Sequence, residues 1–267
     1  MKITANSIAF TTQAAFCVAM ALLALAPFSY GVSVVIANSS FEIPALTDNG
    51  IQNSPTVGDQ GGSGWIFSTG SNIGGIYNPT SGYYANADGN GTPAGANGAQ
   101  ISYVFRLNAS ASQTLSGSDA ILGNADDPVL TSLTIYTLTL AVGQRLLNNP
   151  AGNFPFGTLS LALLAGSTVI AEDNNVGAPG LGQFADRSIS VNSATLNPVL
   201  YGQPLSIRIM QLAGTDSVAD LDNVRLDAIV IPEPSSALMI GIGLLAFGVL
   251  RHRPRVLRYL VSGKIKG

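Results

Sequence analysis

Few side chains of this 267-residue chain can serve as nucleophile, base or metal ligand. Its one histidine is His252 and its one cysteine is Cys17, and no His, Cys or Lys occurs between Val32 and Ile231. A Ser-His-Asp triad, a Cys-His pair and a lysine base are therefore unavailable to that middle region. Imidazole-bound zinc and copper are excluded with them. Carboxylates remain. Asp126-Asp127, Glu172-Asp173 and the set Asp216, Asp220, Asp222 have the residue type needed for paired acid–base work on glycosidic bonds. Each lies in or beside an Asn-, Gly- or Pro-rich turn, where acidic residues serve the backbone. Two neighbours in one turn also do not face each other across a substrate. On these residues the chain reads as non-enzymatic.

Aromatic side chains offer binding chemistry instead. Trp65, Tyr77, Tyr83 and Tyr84 fall within twenty residues of loop-rich sequence. Exposed rings stack on the faces of sugars, which makes Tyr77, Tyr83 and Tyr84 the candidate ligand platform. Trp65, inside Gly64-Trp65-Ile66-Phe67, reads as the core aromatic of a strand. Successive residues of a strand point to opposite faces, so Tyr83 and Tyr84 cannot both be buried from one. Asn86-Ala87-Asp88-Gly89-Asn90-Gly91 resembles the start of a calcium loop but lacks the later bidentate Glu, and reads as a turn.

The elements that would position these residues are strands. Ile101, Tyr103, Phe105 and Leu107 alternate with Gln100, Ser102, Val104 and Arg106. Thr134, Tyr136, Leu138, Leu140 and Val142 form a second two-residue repeat, and Leu205, Ile207 and Ile209 a third. Thr158–Leu164 and Ser167–Ala171 flank Ala165-Gly166 as a hairpin. Ser81–Gly98 and Gly117–Pro128 read as long loops. No helical stripe of comparable length precedes Ala237. The fold class expected is all-β, a single β-sandwich of jelly-roll type over 32–230. That region holds five arginines against 14 carboxylates, a net charge of −9, so it cannot neutralise phosphates and nucleic-acid binding is excluded.

Both ends look like address labels. Residues 1–31 have the form of a signal peptide, with Lys2 before an apolar stretch Ala14–Ala26. At the other end stand Pro232, Glu233 and Pro234, an uncharged apolar run Ala237–Leu250, and the basic cluster Arg251, Arg253, Arg255. As a helix, those 14 apolar residues reach about 21 Å, short of a ~30 Å hydrocarbon core unless flanking arginines snorkel. This tripartite end, 231–255, closely resembles the PEP-CTERM sorting signal of exported bacterial proteins; 256–267 extends it as a basic tail. The resemblance implies Sec export, processing by an exosortase, and at least a transient membrane helix at 237–250, and hence a location at the cell envelope or outside it.

The middle is similar to galactose-binding-like jelly rolls, through Asn38-Ser39-Ser40-Phe41-Glu42-Ile43-Pro44, Gly64-Trp65 and Asp222-Asn223-Val224-Arg225-Leu226. Carried over, that resemblance implies a structural calcium shared by Glu42 and Asp222. Asp222 also shares two-residue phase with Val224, Leu226 and Ala228, and a carboxylate on a core face needs a cation or hydrogen bonds. The alternative is that Asp222 caps a turn before its strand. Together these features predict a non-enzymatic exported protein of the exopolysaccharide matrix that binds carbohydrate. The alternatives are a passive matrix protein and a carboxylate-based glycan-cleaving enzyme.

Overall fold

In the computed structural model, residues 31–53, 64–69, 71–80, 82–85, 95–119, 121–147 and 152–232 are described, with Gly243. Twelve strands are found among them. They are β1 (Gly31–Val34), β2 (Ile51–Asn53), β3 (Ile66–Phe67), β4 (Ile73–Tyr77), β5 (Ile101–Phe105), β6 (Ser110–Thr114), β7 (Thr134–Gln144), β8 (Thr158–Ala165), β9 (Thr168–Val176), β10 (Gln183–Asn192), β11 (Leu205–Ala213) and β12 (Val218–Val230). One sheet runs β10-β7-β12-β5-β4-β2, with β1 also paired to β12; the other runs β3-β6-β11-β8-β9. Every pairing between them is antiparallel. The all-β sandwich expected from the alternating sequence is the architecture observed.

The two-residue repeats explain the core. Tyr136, Leu138, Leu140 and Val142 of β7 point inward with Leu205, Ile207 and Ile209 of β11, and all are buried. Leu159, Leu161 and Leu163 of β8 join them. Trp65 is fully buried, its ring 5.1 Å from that of Phe41, and its Nε1 donates to the Asn38 carbonyl at 3.2 Å. The β8–β9 hairpin turns at Gly166-Ser167, where Gly166 has φ +57°, a conformation glycine adopts without steric penalty.

The seven-stranded sheet is covered on its outer face as well. Ile101 and Tyr103 of β5 face outward into a second cluster with Tyr77, Tyr83, Tyr84, Ala141, Phe184 and Val218, while Val104 faces the sandwich core. A strand apolar on both faces is what a sheet buried on both sides requires.

β12 carries the irregularity that matters most. Its register with β7 slips between Asp222 and Arg225, and Asn223 there has φ +48°. This β-bulge inverts the side-chain phase. Ala219 and Leu221 face the sandwich core before it, and Val224 and Leu226 after it. Asp222 is therefore not on the core face shared by Val224 and Leu226. It lies with Val218 and Asp220 on the outer face, and the phase expected from simple alternation is corrected.

Against the expected C-terminal membrane anchor, among the described residues no helix is long and apolar enough to cross a membrane. The segment 237–250 falls outside the described residues except Gly243, as do the leader 1–31 except Gly31, Glu233, Pro234, Arg251, Arg253, Arg255 and the tail 256–267. Pro232 is described, two residues beyond the end of β12.

Candidate active site

The outer face of the seven-stranded sheet holds a pocket of about 270 Å³. Five rings line it, those of Tyr77, Tyr83, Tyr103, Phe105 and Phe154, together with Ile51, Asn53, Val218 and Arg145. The sheet supplies Tyr77 from β4, Tyr103 and Phe105 from β5, and Val218 from β12. Ile51 and Asn53 come from β2 of the same sheet, and loops supply Tyr83, Arg145 and Phe154. Phe105 and Phe154 meet edge to face at 5.1 Å, and the Val218 amide donates to the Pro155 carbonyl at 3.0 Å, which fixes the Phe154 loop against the strand.

Tyr83 and Tyr84 are 6% and 3% exposed, against the expectation that they would project into solvent. They sit in a turn, not a strand, so strand alternation does not force them to opposite sides. The turn is pinned by two backbone bonds: Leu146 donates to the Tyr83 carbonyl at 2.8 Å and Ala85 to the Gly182 carbonyl at 2.9 Å, with Gly182 itself held by donating to the Gln144 carbonyl at 2.8 Å. Tyr84 packs 5.4 Å from Phe184, whose ring lies over Gly143 on the neighbouring strand. A Cβ at Gly143 would come within 2.4 Å of that ring, so glycine is what allows the ring to lie down on the sheet.

Below the rings is a buried ion pair. Arg145, just past the end of β7, forks onto Asp220 of β12: Nε donates to Oδ2 at 2.9 Å and Nη2 to Oδ1 at 2.8 Å. Arg145 is 7% exposed and Asp220 is fully buried. The Tyr84 hydroxyl also donates to Asp220 Oδ2, at 2.6 Å. With its one proton used there, Tyr84 accepts from Tyr77 in their 3.4 Å contact. Tyr103 donates to Asn53 Oδ1.

Burial pushes the phenols of Tyr77 and Tyr84 well above the ordinary tyrosine range, and Tyr103 up to about 12. All three are neutral hydrogen-bond donors at physiological pH. Burial alone would lower Arg145, but the Asp220 carboxylate and the surrounding phenols outweigh it and hold the guanidinium protonated well above its usual range.

Asp222 occupies a separate niche on the same face. It is fully buried; Oδ2 accepts the Asn97 amide at 2.5 Å and Oδ1 that of Asn223 at 2.6 Å. Burial, with a further push from the charge of Glu42, raises its carboxyl to about 7, against the downward pull of the two amides. Glu42 accepts the Gln100 amide at 2.8 Å, and its carboxylate lies where a Cβ on Gly98 would be, 2.2 Å from Oε1. Glu42 and Asp222, far apart in sequence, are thus brought together. Among the described residues no group of three or more His, Cys, Asp or Glu could hold a metal.

The other carboxylates are spent on local structure. Asp126 accepts from Ser118 and Asp127 from the Gly123 amide. Glu172 binds Ser160, Asn174 and Arg208, Asp173 caps Asn175, and Asp216 pairs with Arg106 at the surface. A second hollow of about 420 Å³, lined by Val34, Asp126, Tyr136 and Leu205 among others, holds only this committed Asp126 as a charged group. Sequence reasoning missed Arg145, Tyr103, Phe105 and Phe154. The available signal was a lone cation directly after the apolar repeat of β7, which has no reason to be there without a buried partner.

A sandwich with one sheet face turned into an aromatic pocket over a buried charge pair has the layout of a protein that takes up a small apolar ligand. The chain matches the HpiC1 cyclase model over residues 32–227 and belongs to the HpiC1-like family. Solved structures agree. A Stig cyclase from Fischerella sp. TAU, in complex with (3Z)-3-(1-methyl-2-pyrrolidinylidene)-3H-indole, is 27% identical, with 76% of this chain and 100% of that one covered and a TM-score of 0.59. A cyclase from Fischerella sp. TAU in complex with 4-(1H-indol-3-yl)butan-2-one is 28% identical over the same shares, with a TM-score of 0.58. No curated protein sequence matches the chain.

Family membership overturns the non-enzymatic expectation. An exported carbohydrate-binding or passive matrix protein, sorted by a PEP-CTERM signal, gives way to a member of a cyclase family, and the glycan-cleaving alternative falls with it. Side-chain nucleophiles and facing carboxylates are not the only routes to catalysis. Ring closure within one bound molecule needs neither; it needs a shaped, dry cavity and a few placed donors.

Proposed function

We propose that this chain is a cyclase whose active site is the outer-face pocket, and that its substrate is a small aromatic molecule of the indole type. The observation that carries the reading is the pairing of five ring walls with one buried, hydrogen-bonded ion pair in a single cavity. The rings hold a flat substrate in a folded conformer and exclude water, which brings its reacting ends together. Arg145 lines the cavity as a donor toward charge that develops on the substrate during ring closure, and Asp220 fixes both Arg145 and Tyr84 in place. Titration calorimetry with 4-(1H-indol-3-yl)butan-2-one tests the site. Saturable one-to-one binding, lost when Ile51→Trp fills the pocket mouth, is expected; absence of binding, or binding unaffected by Ile51→Trp, sinks the assignment.

The Glu42–Asp222 niche supports a second reading, a structural calcium ion. The donors are oxygen only, two carboxylates lie close enough to repel, and a divalent cation relieves both the repulsion and the burial of Asp222. The ion would hold the 95–100 segment against β12 and supply no chemistry to the pocket. The two-sheet layout also supports reading the sandwich as a jelly roll.

A further inference from the structure

A box of aromatic rings is the usual seat for a ligand cation, because each ring face attracts positive charge. In this pocket the seat is occupied by the protein itself. The Arg145 guanidinium carbon lies 4.4 Å from the Tyr77 ring centroid, 5.7 Å from that of Tyr83 and 5.8 Å from that of Tyr103. The fork onto Asp220 fixes it there through Nε and Nη2, and both partners are buried.

This arrangement treats the three charge types of ligand differently. A protonated amine entering the box meets a guanidinium already in place, and the carboxylate that could compensate it has its oxygens engaged by Arg145 and Tyr84. A carboxylate ligand finds the arginine's charge already balanced by Asp220, so its own loss of hydration goes uncompensated. A neutral molecule carrying a carbonyl or imine acceptor meets neither penalty. Nη1, the guanidinium nitrogen not used on Asp220, is the donor left for it.

We propose that Arg145 sets the specificity of this pocket as an internal cation: it fills the aromatic box, rejects protonated amines and carboxylates, and admits neutral aromatic molecules that bear a hydrogen-bond acceptor. The proposal rests on the pocket being the ligand site, and it names the class of ligand that site takes.

The test is calorimetry on the full chain at pH 7 with three probes of one ring system: 4-(1H-indol-3-yl)butan-2-one, tryptamine and indole-3-propionate. The ketone is expected to bind at least about tenfold more tightly than either charged probe. Tryptamine or indole-3-propionate binding as tightly as the ketone overturns the proposal. Arg145→Met, which leaves Asp220 unpaired beneath an empty box, is expected to reverse the order so that tryptamine binds at least about tenfold more tightly than the ketone. A folded Arg145→Met that keeps the ketone preference also overturns it. Should that variant fail to fold, the ranking on the native chain decides alone. The two readings fail differently. Equal binding of all three probes, abolished by Ile51→Trp, sinks the specificity role and leaves the site; no binding of any probe sinks both.

Discussion

Asp220 and Asp222 stand two residues apart on the outer face of β12, yet one carboxylate is forked by an arginine and the other faces a glutamate. A single strand thus presents a charge-balanced group to the pocket and a charge-burdened group to the niche beside it. The bulge at Asn223 makes this possible, because it lets the strand finish its run of outward carboxylates before turning Val224 and Leu226 back into the core.

The buried pair predicts an asymmetry between single and double substitutions. Asp220→Leu leaves the Arg145 guanidinium buried without a partner and is expected to destabilise by about 3–5 kcal/mol. Asp220→Leu combined with Arg145→Met removes both charges and is expected to recover most of that loss. Denaturant unfolding of the two variants measures it. A double variant no more stable than the single one would show that the pair is not the source of the effect.

Asp222 makes a prediction about pH and calcium. Its folded-state carboxyl is raised to about 7 from the ordinary 3.8, so between those values the folded chain holds a proton that the unfolded chain has released. Without metal, stability is therefore fully present below pH 4 and falls as pH rises through 7, by up to about 4 kcal/mol. A bound calcium ion favours the ionised form and is expected to reverse the slope above neutrality. Melting temperatures from pH 4 to 8, in chelator and in millimolar calcium, test this. Asp222→Ala should lose both the calcium-dependent gain and the fall in stability with rising pH in chelator; a calcium-dependent gain that survives the substitution would remove the metal.

How much of this was legible in the sequence depended on where alternation holds. The repeats of Tyr136–Val142 and Leu205–Ile209 placed their strands and their inward faces correctly, because neither run contains a bulge where those residues lie. The run through Asp222 did not, since one inserted residue in an antiparallel pair moves every later side chain to the other face. Tyr83 and Tyr84 were picked out as ligand contacts by residue type, but their burial is decided by bonds to Leu146 and Gly182, which are distant in sequence. Arg145 and Asp220 are 75 residues apart, and nothing in composition links them. The long-range partner is the part of a site that periodicity does not carry.

The bulge residue itself can be tested. Asn223 holds φ +48°, where a β-branched side chain clashes with its own backbone and glycine does not. Asn223→Val is expected to destabilise by about 1–3 kcal/mol, whereas Asn223→Gly stays within about 1 kcal/mol of the native chain. Because the bulge aims Asp222, the Val variant should also lose part of the pH dependence described above. A Val substitution tolerated as well as Gly would mean that the strand can pair without the bulge.

Gly143 links packing on the sheet to the pocket. A methyl group there would sit 2.4 Å from the Phe184 ring, well inside contact distance, so Gly143→Ala must lift the ring. Phe184 packs against Tyr84, and Tyr84 donates to Asp220, so the displacement passes to the ion pair in the floor of the pocket. Overpacking of this kind costs about 1–3 kcal/mol. The expected result is a folded but less stable protein with weakened binding of 4-(1H-indol-3-yl)butan-2-one, and Phe184→Leu in the same chain should restore binding in part by giving the new methyl room. If Gly143→Ala lowers stability while ligand affinity stays unchanged, the path from Phe184 through Tyr84 to Asp220 does not position the pocket, and Arg145 must be held by the sheet alone.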